Sequence, residues 1–222
     1  MNAMMSTTGE AISPPRAARL LTRKRLLLLK RIFDLAFCLC VLPLVIPAML
    51  LCAAAIRLES RGPIFFFQSR TGRGGRRFKM FKFRTMVQNA EALKQELAHL
   101  NQLRWPDFKV ADDPRVTRVG RFLRKTSLDE LPQIFNVLKG DMSLVGPRPT
   151  SFDVSRYTLW HTERLEMPPG VTGIWQISGR SDVEFDDRVK MDGEYIRRWS
   201  LWLDIKVIVL TLFAVVGRRG AY

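Results

Sequence analysis

The hydrophobic residues of this chain are concentrated in one long run near the N-terminus and a shorter run near the C-terminus. From Ile32 to Ile56 the chain is apolar almost without interruption, and Asp34 is the one charged residue within it. At about 1.5 Å per residue, a helix of this length measures roughly 37 Å and is long enough to cross a bilayer. The C-terminal run VIVLTLFAVV, 207–216, is too short to span. Tryptophans before it and arginines after it are typical of a helix at a membrane interface, although a core helix has the same pattern.

Prolines and flanking charges indicate how the long run meets the membrane. Pro43 and Pro47 lie near its centre, and proline is the commonest cause of a sharp helix kink. Basic residues flank the run on both sides, and clusters of positive charge favour the cytoplasmic face. A helix that breaks at the prolines and returns to the same face satisfies both observations. An ordinary kinked transmembrane helix is the alternative.

The polar part of the chain alternates short β-type runs, helical stretches and turn residues, which predicts a mixed α/β domain. Apolar runs at 64–68 and 78–83 flank the glycine-rich stretch RTGRGGR, so a β-hairpin is predicted there. The stretch 91–103 is predicted to be helical, with leucines at helical spacing. The first residues are expected to be loosely ordered up to about Leu20. These patterns divide the chain into a basic leader (1–29), a membrane helix (30–57) and a polar α/β domain (58–222).

A stripe of arginines precedes a pair of adjacent carboxylates. The helix predicted over 115–130 carries the stripe on one side and apolar residues, including Phe122, on the other. A charge stripe is usually a solvated face. Because this one leads directly into Asp129 and Glu130, we expect several of its cations to converge on whatever these carboxylates contact. The stripe consists of Arg115, Arg118, Arg121 and Arg124.

The carboxylate pair, Asp129 and Glu130, has two interpretations. Ser127 followed three residues later by Glu130 matches a capping box, which satisfies free amides at a helix N-terminus. In that case, however, Pro132 would lie inside the helix and remove one of its hydrogen bonds. A helix that begins nearer Asp129 places both carboxylates at the positive end of its dipole, which favours their ionised form. The pair is therefore either a helix cap or a reactive site.

Arg148 stands between Pro147 and Pro149 in the sequence GPRP. The prolines restrict the backbone, and a rigidly presented guanidinium suits phosphate, which it binds with two parallel hydrogen bonds. A structural turn with a surface arginine is the alternative. Adjacent helical residues point about 100° apart, so the carboxylate pair cannot flank one bond as in glycosidases. Cations, carboxylates and a membrane segment together indicate phosphoryl transfer between a soluble donor and a lipid.

Composition narrows the classes of partner. The chain has 222 residues and a net charge of +15, which favours phosphorylated ligands, polyanions or an anionic membrane surface. Nucleic-acid binding would explain the charge, but no binding motif accompanies it and the long apolar run has no place in that function. The cysteines lie inside that run and are expected to pack or face lipid, and neither histidine is assigned a role. These residues are Cys38, Cys40, Cys52, His99 and His161.

Five stretches resemble the bacterial sugar transferases, the monotopic polyprenyl-phosphate phosphoglycosyl transferases. They are KRIFD (30–34), KMFKFRTM (79–86), DDPRVTRVGRFLRKTSLDELPQ (112–133), NVLKGDMSLVGPRP (136–149) and PGVTGIWQISGR (169–180). The resemblance implies an α/β fold with a re-entrant membrane helix, interfacial helices and a catalytic domain on the cytosolic face of the inner membrane. It also implies Mg²⁺ dependence and transfer of galactose or glucose 1-phosphate from UDP-hexose to undecaprenyl phosphate, the first membrane step of exopolysaccharide synthesis. The sequence does not choose between the two sugars, and it leaves the oligomeric state, including a homo-oligomer, open.

The resemblance also assigns roles to individual residues. It implies that Asp129 forms a covalent phosphosugar intermediate and contacts the metal, with Glu130 as its catalytic partner. The implied phosphate-binding residues are Lys82, Arg84, Arg124 and Arg148, and the implied membrane break lies at Pro43 and Pro47. Family members often carry Ser-Pro at that break, whereas this chain has Ile46 before the proline, and isoleucine cannot satisfy a freed backbone group. A catalytically silent membrane scaffold that recruits glycosyltransferases is the alternative from another functional class.

Overall fold

The protein combines one long N-terminal helix with a domain of mixed helices and strands. The computed structural model describes residues 16–97, 99, 101, 110, 112–178 and 184–216. The helices are α1 (Arg16–Glu59), α2 (Ala90–Glu96), α3 (Arg118–Lys125), α4 (Gln133–Lys139), α5 (Ile174–Ser178), α6 (Phe185–Arg198) and α7 (Leu201–Val216). The strands are β1 (Phe65–Thr71), β2 (Arg77–Phe83), β3 (Ser143–Val145) and β4 (Gly170–Thr172). Short 3-10 helices cover Arg73–Gly75, Leu128–Glu130, Val154–Arg156 and Leu159–Leu165.

Helix α1 contains the candidate membrane segment. It begins at Arg16, within the stretch interpreted as a loosely ordered leader, and continues through Pro43 and Pro47. The part Lys24–Glu59 is long and apolar enough to cross a membrane, and only 17% of its apolar window is buried inside the protein. A core helix of the same composition would be mostly buried. The exposure therefore favours membrane association, and the break at the prolines stays a prediction.

One face of α1 packs on the α/β domain. Cys38 and Ile56, from opposite halves of the apolar run, belong to the same hydrophobic core as Phe83 and Leu123. Leucines on the other face are largely exposed, with Leu44 exposed by 79%. Of the cysteines, two are buried and one is exposed, and all are free thiols, as expected for packing or lipid-facing residues.

Polar side chains tie both ends of the apolar run to the same domain. Near its start, the ammonium of Lys30 forms a buried ion pair with Asp204 of α7. One turn later, the Asp34 carboxylate accepts a hydrogen bond of 3.2 Å from the backbone N–H of Leu144. At the other end, Glu59 accepts hydrogen bonds from the first two backbone amides of α3, the shorter of 2.7 Å. An anionic side chain is stabilised at this positive end of a helix.

Two small sheets organise the polar domain. Strands β1 and β2 pair in antiparallel fashion around the glycine-rich turn, which confirms the predicted hairpin. Strands β3 and β4 pair in parallel, and the GPRP loop after β3 also contacts the start of β4, where the backbone N–H of Gly170 donates to the carbonyl of Pro147 at 2.9 Å. A Cβ added to Gly170 would lie 2.1 Å from the backbone nitrogen of Gly146. Glycine is therefore required where the GPRP loop contacts the start of β4.

Helix α7 has an apolar face on both sides. Val207 is buried in a hydrophobic cluster, whereas Trp202 and Phe213 are 74% and 70% exposed. A helix between a core and water carries polar residues on its outer side. The inner face of α7 thus matches the core-helix interpretation, and its exposed apolar face matches a helix at a membrane interface.

Two predicted helices are shorter than expected. Helix α2 ends at Glu96, and residues 98, 100, 102 and 103 of the predicted stretch lie outside the described residues. The helix predicted from residue 115 begins at Arg118, because the hydroxyl of Thr117 accepts a hydrogen bond from the backbone N–H of Gly120 and caps it there. Phe122, expected on the buried side, is 59% exposed.

Candidate active site

The carboxylate pair lies in the 3-10 turn that joins α3 to α4. Ser127, just before the turn, adopts a left-handed conformation with φ of 58°, and its side chain makes no capping hydrogen bond. The capping-box interpretation is therefore wrong. Helix α4 begins only at Gln133, with Pro132 as its N-cap, where a missing backbone N–H removes no helical hydrogen bond. Asp129 and Glu130 thus precede the helix instead of forming its first turn.

Glu130 is held by two cations. The guanidinium of Arg148 donates to both of its carboxylate oxygens, with 3.2 Å between Nη1 and Oε2, in the fork geometry predicted for a phosphate ligand. The Nζ atom of Lys82 lies 2.7 Å from Oε1. Burial alone would raise the pKa of Glu130, but Arg148 and Lys82 outweigh it and hold the pKa well below its usual range. Glu130 is therefore an ionised carboxylate whose oxygens are engaged.

Asp129 is in a different environment. It is 9% exposed, and the nearest described cation is Lys82, whose Nζ lies 3.9 Å from Oδ2. No described residue donates a hydrogen bond to its carboxylate. Burial raises the pKa of Asp129; Lys82 opposes this shift, and the charge of Glu130 adds to it. Asp129 is a buried carboxylate that the described protein groups leave unsaturated, so it is suited to attack a ligand or to bind a cation.

Arg124 is the member of the arginine stripe that reaches this site. Its Nε donates to the Thr85 hydroxyl at 2.9 Å, and its charge lowers the pKa of Asp129. Arg115 is instead buried in an ion pair with Asp113, and the other two stripe residues are exposed. The expected convergence of the stripe on the carboxylates therefore holds for Arg124 only.

Arg84 does not approach the carboxylate pair. Its Nη1 donates to the backbone carbonyl of Arg61 at 2.7 Å, and its Nη2 donates to the carbonyl and hydroxyl of Ser60. A Cβ added to Gly62 would lie 2.2 Å from Nη1, so the loop after α1 is packed directly on this guanidinium. The position of Arg84 indicates a structural contact at the end of α1 and gives no support to its predicted role in phosphate binding.

A buried ion pair that the sequence analysis missed, between Arg164 and Asp192, contacts the backbone of the GPRP loop. The Nη2 atom of Arg164 donates to the backbone carbonyl of Arg148 at 2.8 Å and to Oδ2 of Asp192 at 2.6 Å. Burial raises the pKa of Asp192 to about 6, and Arg164 opposes the shift. The available signal was weak: Asp192 lies between Val189 and Tyr195 on the buried face of α6, an unusual position for a charge.

A second cluster, which we call the Asp204 clamp, joins α1 to the C-terminal helices. The Asp204 carboxylate is fully buried and pairs with Lys30. It also accepts hydrogen bonds from the hydroxyl of Tyr195, at 2.7 Å, and from the indole N–H of Trp199, at 3.2 Å. The same tyrosine hydroxyl lies 3.2 Å from the carbonyl oxygen of Val145, at the end of β3. The clamp therefore connects α1 to the strand that leads into the GPRP loop.

The protein groups at the site could coordinate a divalent cation only together with phosphate groups of a substrate. The described residues contain no group of three or more His, Cys, Asp or Glu side chains placed to hold a metal ion. Mg²⁺ is commonly bound by one or two protein carboxylates together with substrate phosphates and water. The unsaturated carboxylate of Asp129 suits this arrangement, whereas both oxygens of Glu130 are already engaged by cations.

Comparisons with known proteins identify the family of the chain. The family model described as bacterial sugar transferase matches residues 25–218. The chain is 47% identical over 199 residues to the undecaprenyl-phosphate galactose phosphotransferase of Salmonella typhimurium, covering 87% of this chain and 42% of that protein. It is 43% identical over 205 residues to the undecaprenyl-phosphate glucose phosphotransferase of Komagataeibacter xylinus, covering 87% and 37%. It is 40% identical over 198 residues to the exopolysaccharide production protein ExoY of Rhizobium meliloti, covering 87% and 88%.

The relatives differ in length. The chain spans about two fifths of the Salmonella and Komagataeibacter proteins and nearly all of the Rhizobium protein. The matched region includes α1 from residue 25 onward, the carboxylate pair and the GPRP loop. The chain belongs to the bacterial sugar transferase family.

Proposed function

We propose that this chain is a membrane phosphoglycosyl transferase that moves hexose 1-phosphate from UDP-hexose to undecaprenyl phosphate and releases UMP. The observation that carries the proposal is the unsaturated, buried carboxylate of Asp129 beside Glu130, whose own charge is held by Arg148 and Lys82. The proposal takes three elements from the names of the relatives: the lipid acceptor, the two candidate sugars and the link to exopolysaccharide production.

In the first step an oxygen of Asp129 attacks the phosphorus that bears the sugar. A bond forms between this oxygen and phosphorus, and the bond from phosphorus to the oxygen of UMP breaks, so that UMP leaves with the electron pair. A carboxylate is a modest nucleophile, so the phosphorus must be made electrophilic by nearby positive charge. Lys82, Arg124 and Arg148 supply that charge, and Mg²⁺, when bound, would neutralise phosphate oxygens.

The second step transfers the phosphosugar to the lipid. A phosphate oxygen of undecaprenyl phosphate attacks the same phosphorus, and the bond to Asp129 breaks, which restores the carboxylate. Because the two substrates react in turn, the soluble donor and the lipid never need to occupy the site together. The lowered pKa and engaged oxygens of Glu130 make it a poor proton acceptor. Its contacts support a positioning role, in which it holds Arg148 and Lys82 while their remaining N–H groups bind phosphate.

Intact mass spectrometry tests this mechanism. The protein is incubated with Mg²⁺ and UDP-galactose or UDP-glucose in the absence of lipid. The wild type is expected to gain the mass of one hexose phosphate, and added undecaprenyl phosphate should remove it. Asp129→Asn is expected to gain nothing; equal labelling of this variant would contradict the covalent carboxylate mechanism. UMP release from a panel of UDP-sugars identifies the sugar, whereas a non-catalytic scaffold releases none.

We also propose that α1 enters and leaves the membrane on the cytosolic face. Both ends of its apolar run bind the same α/β domain, through Lys30 and Asp34 at one end and Glu59 at the other. A helix that crossed the bilayer would place these two sets of contacts on opposite sides. Topology reporters fused to the two chain ends are both expected on the cytosolic side. A periplasmic signal from one end alone would establish a spanning helix.

A further inference from the structure

Strand β1 begins close to the end of the membrane helix and exposes consecutive aromatic residues. Phe65, Phe66 and Phe67 are 38%, 48% and 54% exposed. Phe65 stacks on Phe83, with ring centroids 5.5 Å apart, and Phe67 contacts Phe81 edge-on at 5.2 Å. Phe66 points to the other face of the hairpin, because side chains alternate along a strand, and it has no ring partner among the described residues.

The register of the hairpin places Phe66 beside the carboxylate pair. It pairs directly with Lys82 of β2, and residues opposite each other in an antiparallel pair share one face, with Cβ atoms about 5 Å apart. Lys82 is the residue that contacts both carboxylates, at 2.7 Å from Glu130 and 3.9 Å from Asp129. An exposed phenyl ring therefore stands next to a cation of the site.

This arrangement complements an amphiphile whose hydrocarbon begins directly at a phosphate. In such a lipid the phosphate and the first hydrocarbon units are joined directly, so a site that binds the phosphate brings those units to the neighbouring protein surface. The cation suits the phosphate, and the ring suits the adjacent hydrocarbon. A nucleotide sugar offers no hydrocarbon next to its phosphates. The short connection from Glu59, where α1 ends, to Phe65 places the start of β1 near the membrane segment.

We propose that Phe66 binds the isoprenoid portion of the lipid acceptor next to its phosphate, and so belongs to the path by which the lipid reaches Asp129. The proposal rests on the proposed function, since it assigns one substrate of that reaction to one side chain. It predicts that Phe66 affects the lipid half of the reaction and leaves the donor half unchanged.

Steady-state kinetics with the full chain in detergent test this assignment. Phe66→Ala is expected to raise the KM for undecaprenyl phosphate about 5- to 10-fold, as loss of one half-buried ring contact implies. The KM for UDP-hexose and the UMP released without lipid should stay at wild-type values, and Phe66→Leu should recover most of the loss. Phe67→Ala, on the opposite face and similarly exposed, is the matched control. An unchanged KM for the lipid in Phe66→Ala, or an equal rise in the control, overturns the proposal.

A binding measurement separates failure of this proposal from failure of the proposed function. Farnesyl phosphate serves as a short prenyl phosphate probe, and inorganic phosphate as the control ligand. Phe66→Ala should weaken farnesyl phosphate about 5- to 10-fold and leave phosphate unaffected. If the wild type releases no UMP from any UDP-sugar but shows this difference, the proposed reaction fails and the lipid contact stands. Equal farnesyl phosphate affinity in both proteins refutes the contact, whatever the enzyme activity.

Discussion

The Asp204 clamp and the Asp129–Glu130 pair are both built from buried carboxylates and cations, but they leave their oxygens in different states. In the clamp, Lys30, Tyr195 and Trp199 together engage both oxygens of a fully buried carboxylate. In the carboxylate pair, protein cations engage Glu130, whereas Asp129 lies 3.9 Å from the nearest described cation. A buried carboxylate that protein donors saturate is structural. One that they leave unsaturated is available to a ligand.

The strongest test of this contrast replaces the unsaturated carboxylate. Asp129→Asn is expected to lower turnover by about 1,000-fold or more, because the amide cannot form the phosphosugar intermediate. Thermal stability should stay near that of the wild type, since the lost carboxylate accepts no hydrogen bond from described residues. UMP release and thermal unfolding in detergent measure the two effects. A large loss of stability would show that Asp129 resembles Asp204.

Disrupting the Asp204 clamp should lower the stability of the protein, in contrast to the substitution of Asp129. Lys30→Met leaves the Asp204 charge buried without its cation, which typically costs about 3–5 kcal/mol of stability. The free energy of unfolding is measured with denaturant in detergent, and Lys24→Met, an exposed lysine on the same helix, is the control. If both variants unfold alike, the clamp contributes nothing to stability.

A substitution of Arg148 tests whether the site needs the two parallel hydrogen bonds of a guanidinium or only its positive charge. Arg148→Lys keeps the charge but loses the two parallel hydrogen bonds, so we expect kcat/KM to fall about 100-fold with little change in stability. The exposed stripe residue Arg118, changed to lysine, should leave activity unaffected. Wild-type activity in Arg148→Lys would return this arginine to the status of a turn residue.

The pH dependence gives the smallest effect. Asp129 must be ionised to attack, and its pKa is raised from 3.8, so UMP release without lipid should decline on the acid side at a pH above that value. Glu130→Gln removes the negative neighbour that raises this pKa and frees Lys82 and Arg148 to face Asp129. The acid limb of the variant should therefore shift to lower pH, even though its maximal rate falls. A shift to higher pH would contradict the assignment of Asp129 as the titrating group.

The sequence predicted those features that depend on local chemistry. The hairpin follows from two apolar runs around glycines. The rigid setting of Arg148 predicted two parallel hydrogen bonds to a phosphate, and the structure shows such hydrogen bonds to the Glu130 carboxylate. Ser127 was misread because its left-handed backbone conformation leaves no mark in the residue pattern. The position of Arg84 could not be predicted from the pattern, because β2 ends at Phe83 and the residue after it contacts the loop that follows α1.

Features that depend on contacts between distant segments could not be predicted. Arg164 and Asp192 form their ion pair beside the GPRP loop only after α6 packs on the 3-10 helix Leu159–Leu165. No local motif contains both residues, and a single charged residue on a helix is usually solvated. Their burial appears only in the folded domain.

The Asp204 clamp has a consequence for biosynthesis. Lys30 and Asp204 are separated by 174 positions in the chain. At 5–20 residues per second, the ribosome adds Asp204 roughly 10–35 s after Lys30. During that interval α1 carries an ammonium group without its carboxylate, so the helix takes its final position only when α7 has been made. A nascent chain that stalls before α7 has a membrane segment but no clamp, and is therefore expected to be a target for proteolytic quality control.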